Sequence, residues 1–529
     1  MDMQLLANIK TKEMKFILNI LAILVFINTY NLSAQYTVND VFSDLNKTTH
    51  ITDDIFAVWW DKDMNYAVEA EQLLTKVIGL KETILNDFYL QVPQSTLDSF
   101  YINIYLHDDG GFYDNFGWGN GVDTDSNGYP YLTLKYWIIS DDLNTAHEVF
   151  HIFQHNSNSS GFRYEGDKNW YTEASAEWFA YLQNPNDTKS FATSQILSRL
   201  PHIPLWTGWF NQPASYPTNW QRENHQYALG QFIFYLSEEG NVSKEILAGC
   251  YYANISEVPQ EYLFNNIGGD QFRTLFLDWA TSVVNDFDFS FMSQAQIDNS
   301  ITEWSNYADL SDNNSIVETF EVQGTNGWYR PENNKVTTGW SFNTYSIENP
   351  EPSSYSIELN GDQNGSFNSS SYFKAKISLR QSDGNSSTYD MQMTNEYQGS
   401  LLVDVPENTS ELLVIIASMP ETFEKLNSEF QMYSYELRIN NTLSIIDASF
   451  NSDVVKIYPN PIKDILTINL NDKNDNLKVN VFDSLGKEIF STRSFQDKNL
   501  AIDFSNLSNG IYFLHLFNDK KFSTFKLIK

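Results

Sequence analysis

The stretch Thr145-Ala-His-Glu-Val-Phe-His-Ile-Phe-Gln-His155 holds three of the eight histidines of a 529-residue chain. Two acidic residues, Asp141 and Asp142, favour a helix start, because negative charge stabilises the positive end of a helix. Apolar residues then recur at spacings of three and four: Leu143, Ala146, Phe150 and Phe153. This pattern predicts an amphipathic helix over about residues 142–155.

Two of these histidines bracket a glutamate in the order His-Glu-x-x-His. On a helix, His147 and His151 lie one turn apart on one face, where both imidazoles can reach one tetrahedral ion at about 2.0–2.1 Å. Glu148 projects beside them, where a carboxylate can meet a metal-bound water. The motif therefore predicts a zinc site. The alternative is an ordinary amphipathic helix whose histidines are satisfied by hydrogen bonds.

A catalytic zinc site needs a third protein ligand. His155 is a poor candidate, because each four-residue step turns about 40° around a helix and three such ligands do not converge. We expect His155 at the surface or behind the ligands. The stretch Trp170-Tyr-Thr-Glu-Ala-Ser-Ala-Glu-Trp178 offers Glu173, 22 residues after His151. Glu177 follows one turn later and can orient a ligand imidazole. The alternative for both glutamates is a solvated helix face.

These two segments resemble those of the gluzincins, zinc peptidases with His-Glu-x-x-His and a downstream glutamate. The second segment is also similar to that of secreted bacterial zincin-like families with Trp-x-x-Glu-Ala-x-Ala-Glu-Trp. The resemblance covers about residues 130–240. It implies that His147, His151 and Glu173 bind zinc, that Glu148 is the general base, and that Glu177 supports a ligand.

The gluzincins also place a Tyr or His from a later segment on the transition-state oxyanion, and no strict motif identifies that residue here. The stretch Asn224-His-Gln-Tyr-Ala-Leu-Gly230 offers His225 and Tyr227 before an apolar run. Either side chain can serve as the oxyanion donor. A packed Tyr227 and a helix-capping His225 are the alternatives.

The residues before the histidine segment suggest how a substrate is held. Residues 131–139 are predicted to form a strand, and in zincins such a strand binds an extended peptide by β-pairing. A second ion, calcium, is a weaker candidate at Asp123-Thr-Asp-Ser-Asn-Gly128, which looks like the first half of a calcium loop. Leu134 stands where that loop requires a bidentate glutamate.

Composition limits the class of partner. The chain has 33 Lys and Arg against 67 Asp and Glu, a formal net charge of −34. Nucleic-acid binding requires clustered basic residues, so no nucleic-acid partner is predicted. The single cysteine, Cys250, excludes a disulfide framework and is expected to be a small buried apolar residue.

The beginning of the chain predicts export. A basic Met14-Lys15 precedes a run of about twelve apolar residues, and small residues follow up to Ala34. This order is typical of a secretory signal peptide over residues 1–34, with Met14 as the predicted start of translation. The run is too short for a comfortable membrane span, and no later run matches it. We therefore expect a mature protein without a stable membrane span.

The texture of the sequence changes twice and predicts a multidomain chain. Residues 36–310 are predicted to form an α+β zincin-like catalytic domain. Short alternating runs separated by turn residues then predict an all-β sandwich over residues 315–445. A small immunoglobulin-like β-sandwich follows over residues 454–529. From Lys456 onward 11 basic residues face 8 acidic ones, against 22 and 59 in the rest, which marks the last boundary.

This last unit closely resembles the C-terminal sorting domain of type IX secretion substrates of Bacteroidetes. The matching pieces are Ile457-Tyr-Pro-Asn-Pro461, Val481-Phe-Asp-Ser-Leu-Gly-Lys487, Leu507-Ser-Asn-Gly-Ile-Tyr512 and Phe525-Lys-Leu-Ile-Lys529. The resemblance implies a partnership with the type IX secretion machinery and a cargo that is displayed on the cell surface or released.

Together these patterns predict a secreted or cell-surface zinc metallopeptidase that acts on peptide or protein substrates. The alternative is a surface protein that binds glycan or protein, with an inactive zincin-like domain. In that reading Trp328, Tyr329 and Trp340 of the sandwich form an aromatic platform, whereas core packing is the simpler explanation of these residues.

Overall fold

The computed structural model describes residues 36–187, 201–209, 225–308, 319–321, 327–331, 335–365, 370–423, 430–442, 455–470, 477–484, 486–495, 499–517 and 522–529. The predicted signal peptide lies outside the described residues. Within the described ranges no helix is both long and apolar enough to cross a bilayer.

The N-terminal part is built on a five-stranded sheet with the order β1-β2-β3-β5-β4. Its strands are β1 (Thr48–Asp53), β2 (Phe56–Asp61), β3 (Ile102–His107), β4 (Gly121–Thr124) and β5 (Pro130–Lys135). The pairs β2–β3 and β3–β5 are parallel, whereas β1–β2 and β4–β5 are antiparallel. Every residue of β2 and β3 is buried, as expected for strands that are covered on both faces.

The predicted substrate strand needs a correction. The strand ends at Lys135, and Tyr136–Ser140 forms a 3₁₀ helix that leads to the histidine helix. β5 also has hydrogen-bonded neighbours on both sides, β3 and β4, so it has no free edge for a peptide. The edge strands of this sheet, among the described strands, are β1 and β4, and β4 is the one next to β5.

Helices cover one face of the sheet and continue toward the sandwich. They are α1 (Ala67–Asp87), α2 (Gln94–Leu97), α3 (Asp142–His155), α4 (Asn169–Gln183), α5 (Gly230–Glu238), α6 (Lys244–Leu247), α7 (Pro259–Ile267), α8 (Gly269–Val284) and α9 (Gln294–Ala308). The opposite face of the sheet carries an aromatic cluster with Trp59, Tyr105 and Tyr131 at its centre. Cys250 is fully buried, as the sequence predicts.

The next part is a sandwich of two antiparallel sheets. One has the order β13-β14-β10-β17-β7-β6 and the other β12-β11-β15-β9. The bounds are β6 (Thr319–Glu321), β7 (Trp328–Pro331), β8 (Thr337–Thr338), β9 (Ser341–Glu348), β10 (Ser354–Gly361), β11 (Phe373–Gln381), β12 (Ser386–Asp390), β13 (Gln392–Met393), β14 (Gln398–Asp404), β15 (Thr409–Ser418), β16 (Met432–Tyr433) and β17 (Tyr435–Thr442). The short strands β8 and β16 pair separately.

Strand β15 joins the helical part to the sandwich. Successive side chains of a strand point to opposite faces. Leu413 and Ile415 lie in the core that includes the helices, whereas Leu412 and Val414 lie in the core between the two sheets of the sandwich. Both faces of this strand are therefore buried, so β15 contributes side chains to the core of the helical part and to the core of the sandwich.

Buried polar contacts reinforce this junction. Arg273 on α8 is 2% exposed, and its Nε donates to the Met419 carbonyl at 3.0 Å. Its guanidinium lies 3.5 Å from the ring centre of Tyr372. Trp340 is 1% exposed and packs in the helical core, so it cannot belong to a surface platform. Trp328 and Tyr329 are half-buried on β7.

The C-terminal unit is a separate small sandwich. Its sheets have the orders β18-β19-β22 and β21-β20-β23-β24. The strands are β18 (Val455–Tyr458), β19 (Ile465–Leu470), β20 (Leu477–Asp483), β21 (Glu488–Phe495), β22 (Asn499–Asp503), β23 (Ile511–Phe517) and β24 (Phe522–Ile528). Its core, which includes Leu466, Val479 and Leu514, shares no described residue with the other hydrophobic clusters.

Candidate metal centre

Two packed helices, α3 and α4, build the candidate site. The Asp141 carboxylate accepts from the Asn144 backbone N–H at 3.2 Å and caps the start of α3, which has the predicted bounds. On the buried side, the rings of Phe150 and Phe179 stack with centroids 4.5 Å apart. This packing brings the helix with both histidines against the helix with Glu173.

The three predicted ligands converge. His147 Nε2 and His151 Nε2 are 3.0 Å apart, and Glu173 Oε2 lies 3.2 Å from the first and 3.3 Å from the second. Four ligands placed tetrahedrally at bond lengths of about 2.0–2.1 Å are separated by about 3.3 Å. The triangle of donor atoms therefore fits zinc. It is the one cluster of metal-ligating side chains with this spacing in the described ranges.

The buried amide of Gln154 fixes which nitrogen of His151 faces His147 and Glu173. Gln154 Nε2 donates to the Thr172 carbonyl at 3.2 Å, and a carbonyl oxygen is only an acceptor. The amide oxygen must then face His151 Nδ1, 2.7 Å away. His151 Nδ1 is therefore the donor, and its Nε2 presents a lone pair to the cluster when the ring is neutral. Gln154 is 2% exposed, so this orientation is sheltered from water.

Glu177 lies behind the imidazole of His147. Its Oε1 is 3.4 Å from His147 Nδ1, close enough for an ion pair but without the alignment of a hydrogen bond. Burial lowers the pKa of His147, but the hydrogen bond with Glu173 and the nearby carboxylates outweigh it and raise the pKa to about 9. Burial raises the pKa of Glu177. Glu177 thus lies beside His147 Nδ1, and its role in orienting that imidazole stays a prediction.

The pKa values of the two other glutamates, Glu148 and Glu173, are shifted in opposite directions. Burial raises the pKa of Glu148, although both histidines oppose this shift. Burial also opposes the charge on Glu173, but the histidine charges and hydrogen bonds prevail and lower its pKa well below the usual range. The pKa values of the two carboxyl groups are thus shifted in opposite directions, and the increased proton affinity of Glu148 suits a base.

The cluster opens into a cavity of about 470 Å³. This volume accommodates a few peptide residues. The lining consists of Asn120, Gly121, Val122, His147, Glu148, His151, Gln154, His155, Phe162, Arg163, Tyr164, Glu165, Thr172, Glu173 and Tyr227. The first three residues lie at or just before edge strand β4, so the edge of the sheet borders the site.

The structure separates the two oxyanion candidates. Tyr227 lines the cavity, with its ring centre 6.0 Å from that of His147. The charge of Glu173, followed by burial, raises the pKa of Tyr227 well above its ordinary value, so the phenol keeps its proton. His225 is absent from the cavity lining and instead lies 2% exposed, with Nδ1 3.3 Å from the Thr207 carbonyl. The prediction of a catalytic His225 therefore lacks support in the geometry.

Two residues of the cavity lining, His155 and Tyr164, were not predicted there from the sequence. The sequence places His155 at the surface or behind the ligands, and in the structure this residue lines the cavity and is half-buried. Tyr164, from the loop between α3 and α4, also lines it and hydrogen-bonds to the Glu173 side chain. An aromatic residue in that loop is the only sequence signal that could have suggested it.

The predicted half of a calcium loop forms a tight turn between β4 and β5. The Asp125 carboxylate accepts from the backbone N–H of Asn127 at 2.8 Å and of Tyr129 at 3.0 Å. Side-chain capping of a turn explains the Asp and Asn residues there. Calcium at this turn stays a prediction without a supporting cluster in the described part of the chain.

Comparisons with solved structures give only partial matches. An immunoglobulin-like DUF3244 family protein from Bacteroides vulgatus is 14% identical, with a TM-score of 0.14, and the match covers 16% of this chain and 92% of that one. A β-D-glucuronidase from Dictyoglomus thermophilum is 9% identical, with a TM-score of 0.18, and the match covers 39% of this chain and 38% of that one. A search of curated proteins finds no significant match.

Comparisons with protein families are more informative. Residues 456–529 match the secretion system C-terminal sorting domain, which confirms the predicted type IX sorting unit. The protein is exported by the type IX secretion system to the cell surface or beyond. Residues 39–445 match a family of unknown function, DUF6055, whose span covers both the helical part and the sandwich. The chain therefore belongs to the DUF6055 family and carries a type IX secretion sorting domain at its C-terminus.

Proposed function

We propose that this protein is an extracellular zinc metallopeptidase of the gluzincin type. The observation that carries the proposal is the triangle of donor atoms from His147, His151 and Glu173, with sides of 3.0, 3.2 and 3.3 Å. Three donors at these separations in a buried pocket need a shared cation or proton, and their chemistry suits zinc. Gln154 adds support, because it turns a nitrogen lone pair of His151 toward the same point.

In this proposal Glu148 and Tyr227 have separate roles in hydrolysis. When bound, zinc supplies a Lewis acid that makes water nucleophilic near neutral pH and polarises a carbonyl group. Glu148 accepts the proton of the attacking water and returns it to the leaving amine. Tyr227 donates a hydrogen bond to the carbonyl oxygen as negative charge develops there. Among the described strands β4 has no neighbour on its outer side, so its backbone groups can pair with an extended peptide.

The alternative of a glycan- or protein-binding surface protein has less support. Its aromatic platform loses Trp340, which is buried in the helical core. The sandwich also shares β15 with that core, so it serves as part of the scaffold that carries the site.

The substitution Glu148→Gln tests the proposal. It removes the base but leaves the three ligands, so we expect unchanged zinc content and a loss of hydrolysis across a broad peptide library. The matched control is Glu165→Gln on the cavity rim, which should keep both zinc and hydrolysis. Equal hydrolysis by the wild type and Glu148→Gln, or no hydrolysis by the zinc-loaded wild type, would overturn the assignment.

A further inference from the structure

The charges around the cavity are unevenly distributed. The lining includes three glutamates, Glu148, Glu165 and Glu173, but Arg163 is its only Arg or Lys among the described residues. The chain as a whole carries a net charge of −34. An exposed arginine on the rim of a catalytic cavity therefore creates a local exception to the acidic field of the protein.

The backbone on both sides of Arg163 is anchored. Phe162 is 2% exposed and packs edge-on against Tyr171 and Tyr251. One residue earlier, the Gly161 N–H donates to the Ile255 carbonyl at 3.0 Å. A Cβ on this glycine would lie 1.8 Å from the Glu257 carbonyl oxygen. The backbone at Gly161 therefore packs directly against the backbone at Glu257, with no room for a side chain. On the other side, Tyr164 is tied to Glu173.

The guanidinium group of Arg163 is uncommitted within the described part of the chain, where no hydrogen bond or ion pair holds it. Glu165 is near enough to feel its charge but is bound by another cation. Lys168 Nζ lies 2.7 Å from Glu165 Oε1 and 2.9 Å from the Ser160 carbonyl. The same loop therefore contains one basic residue that is committed to the fold and one that faces the cavity.

We propose that Arg163 determines specificity by binding a carboxylate of the peptide substrate. A guanidinium presents paired N–H donors that match the two oxygens of a carboxylate. The anchored loop fixes the position of the Arg163 backbone, which reduces the entropy that is lost on binding. The carboxylate is either an Asp or Glu side chain or the C-terminus of the peptide. This inference rests on the proposed peptidase function.

Peptide binding to the zinc-loaded Glu148→Gln protein tests the inference without requiring turnover. Three fluorescent alanine-rich peptides serve as probes: one with a Glu side chain and an amidated end, one with Gln and a free C-terminus, and one with Gln and an amidated end. The two carboxylate peptides differ only in the source of the charge. We expect at least one of them to bind about three- to tenfold more tightly than the neutral peptide at low salt.

Two further substitutions in the Glu148→Gln protein assign this preference. Arg163→Gln should bring the ratio of affinities to about one, whereas the matched control Lys168→Gln should keep it. Added salt should reduce the preference in the parent protein, because the interaction is between partly exposed charges. Equal binding of all three peptides by the parent, or a preference that survives Arg163→Gln, would overturn the inference.

Failure of this inference can be distinguished from failure of the peptidase assignment. Hydrolysis of the neutral peptide by the wild type, without any preference for carboxylates, overturns the role of Arg163 and leaves the enzyme intact. A carboxylate preference that depends on Arg163, without hydrolysis of any peptide by the wild type, supports the binding role and overturns the peptidase assignment.

Discussion

At the scale of single residues, Gln154 orients the imidazole of His151, one of the proposed zinc ligands. Its amide contacts His151 on one side and donates to Ser175 Oγ and the Tyr251 hydroxyl, at 2.8 and 2.9 Å, on the other. The change Gln154→Met keeps the length of the side chain and removes these bonds. We expect zinc affinity to fall about 10- to 100-fold, as for other residues that orient a metal ligand. Competition with a chromophoric chelator measures it.

The control for Gln154→Met is Tyr251→Phe. This substitution removes one hydroxyl of the same buried network but leaves the contact between Gln154 and His151 in place. Zinc affinity should therefore stay close to that of the wild type, while the melting temperature falls because buried partners lose a hydrogen bond. A similar loss of zinc in both variants would show that the network acts through general stability rather than through His151.

A second residue-scale prediction concerns the pH dependence of folding. Burial, followed by the charges of Lys335 and His225, lowers the pKa of His202 to about 3. In the unfolded chain His202 takes up a proton near pH 6.5, whereas in the folded chain it stays neutral down to about pH 3. The free energy of unfolding is therefore highest above about pH 6.5 and decreases as the pH falls toward 3. Between about pH 7 and pH 5 the loss is about 2 kcal/mol.

Denaturant unfolding at several pH values checks this prediction. His202→Gln cannot take up the proton, so its free energy of unfolding should change less between pH 7 and pH 5 than that of the wild type. Identical pH profiles for the two proteins would mean that His202 takes up its proton equally readily in the folded and unfolded states, which contradicts the prediction.

At this scale, the sequence predicts site residues that share one short motif better than residues that only tertiary packing brings to the site. His147, Glu148 and His151 follow from one helical spacing, and Glu173 from a second short motif. The structure gathers the three ligands as expected. Tyr164 and Arg163 could not be placed, because a loop has no periodicity that aims a side chain at a cavity. His225 and Tyr227 stand two residues apart, and only tertiary packing separates their environments.

At the scale of elements, the close contact between α4 and α5 positions Tyr227. A Cβ on Gly230 would lie 2.5 Å from Glu177 Cβ and 3.3 Å from the Ala174 carbonyl oxygen. Gly230→Ala therefore forces the two helices apart. We expect a loss of about 1–3 kcal/mol in stability, typical of overpacking, and a lower rate of hydrolysis because Tyr227 shifts. Denaturant unfolding and peptide assays measure the two effects.

The matched control is Gly79→Ala on α1. The new methyl group would meet no atom within 4 Å. Alanine is favoured over glycine inside helices by about 0.5–1 kcal/mol, so this variant should be as stable as the wild type or more stable. If Gly230→Ala behaves like Gly79→Ala, the close packing of α4 and α5 is not required.

Elements differ in how far the sequence reveals them. The bounds of α3 were predictable because an acidic cap and an apolar period coincide there. The strand predicted over residues 131–139 was wrong beyond Lys135, because apolar residues in a 3₁₀ helix and in a buried strand look alike. The interior position of β5 was hidden as well, since strand order depends on contacts between distant segments.

At the scale of the whole molecule, we expect the helical part and the first sandwich to unfold as one unit, because β15 contributes to the cores of both. Ile415 and Ile416 are adjacent on β15 and fully buried, but they belong to different cores. Each substitution to alanine should cost about 2–5 kcal/mol. We expect both variants to lower the same calorimetric transition, because neither core can unfold while β15 holds the other.

The sorting domain provides an internal reference for this experiment. Its core is separate, so its own transition should stay unchanged in both variants. Two distinct transitions within residues 36–445, each sensitive to one substitution, would contradict a single unit. The division into domains over 36–310 and 315–445 stays a prediction that this experiment tests. Alternation along β15 indicates a strand, but it cannot show that both faces of that strand are covered.

The central claim is that His147, His151 and Glu173 bind one zinc ion. A crystal structure of the zinc-loaded protein, with anomalous scattering recorded at the zinc edge, tests it most directly. The account predicts one strong peak at about 2.0–2.2 Å from both Nε2 atoms and from a Glu173 carboxylate oxygen. A zinc-loaded crystal with no peak between these three side chains, or with zinc bound only elsewhere, would contradict it.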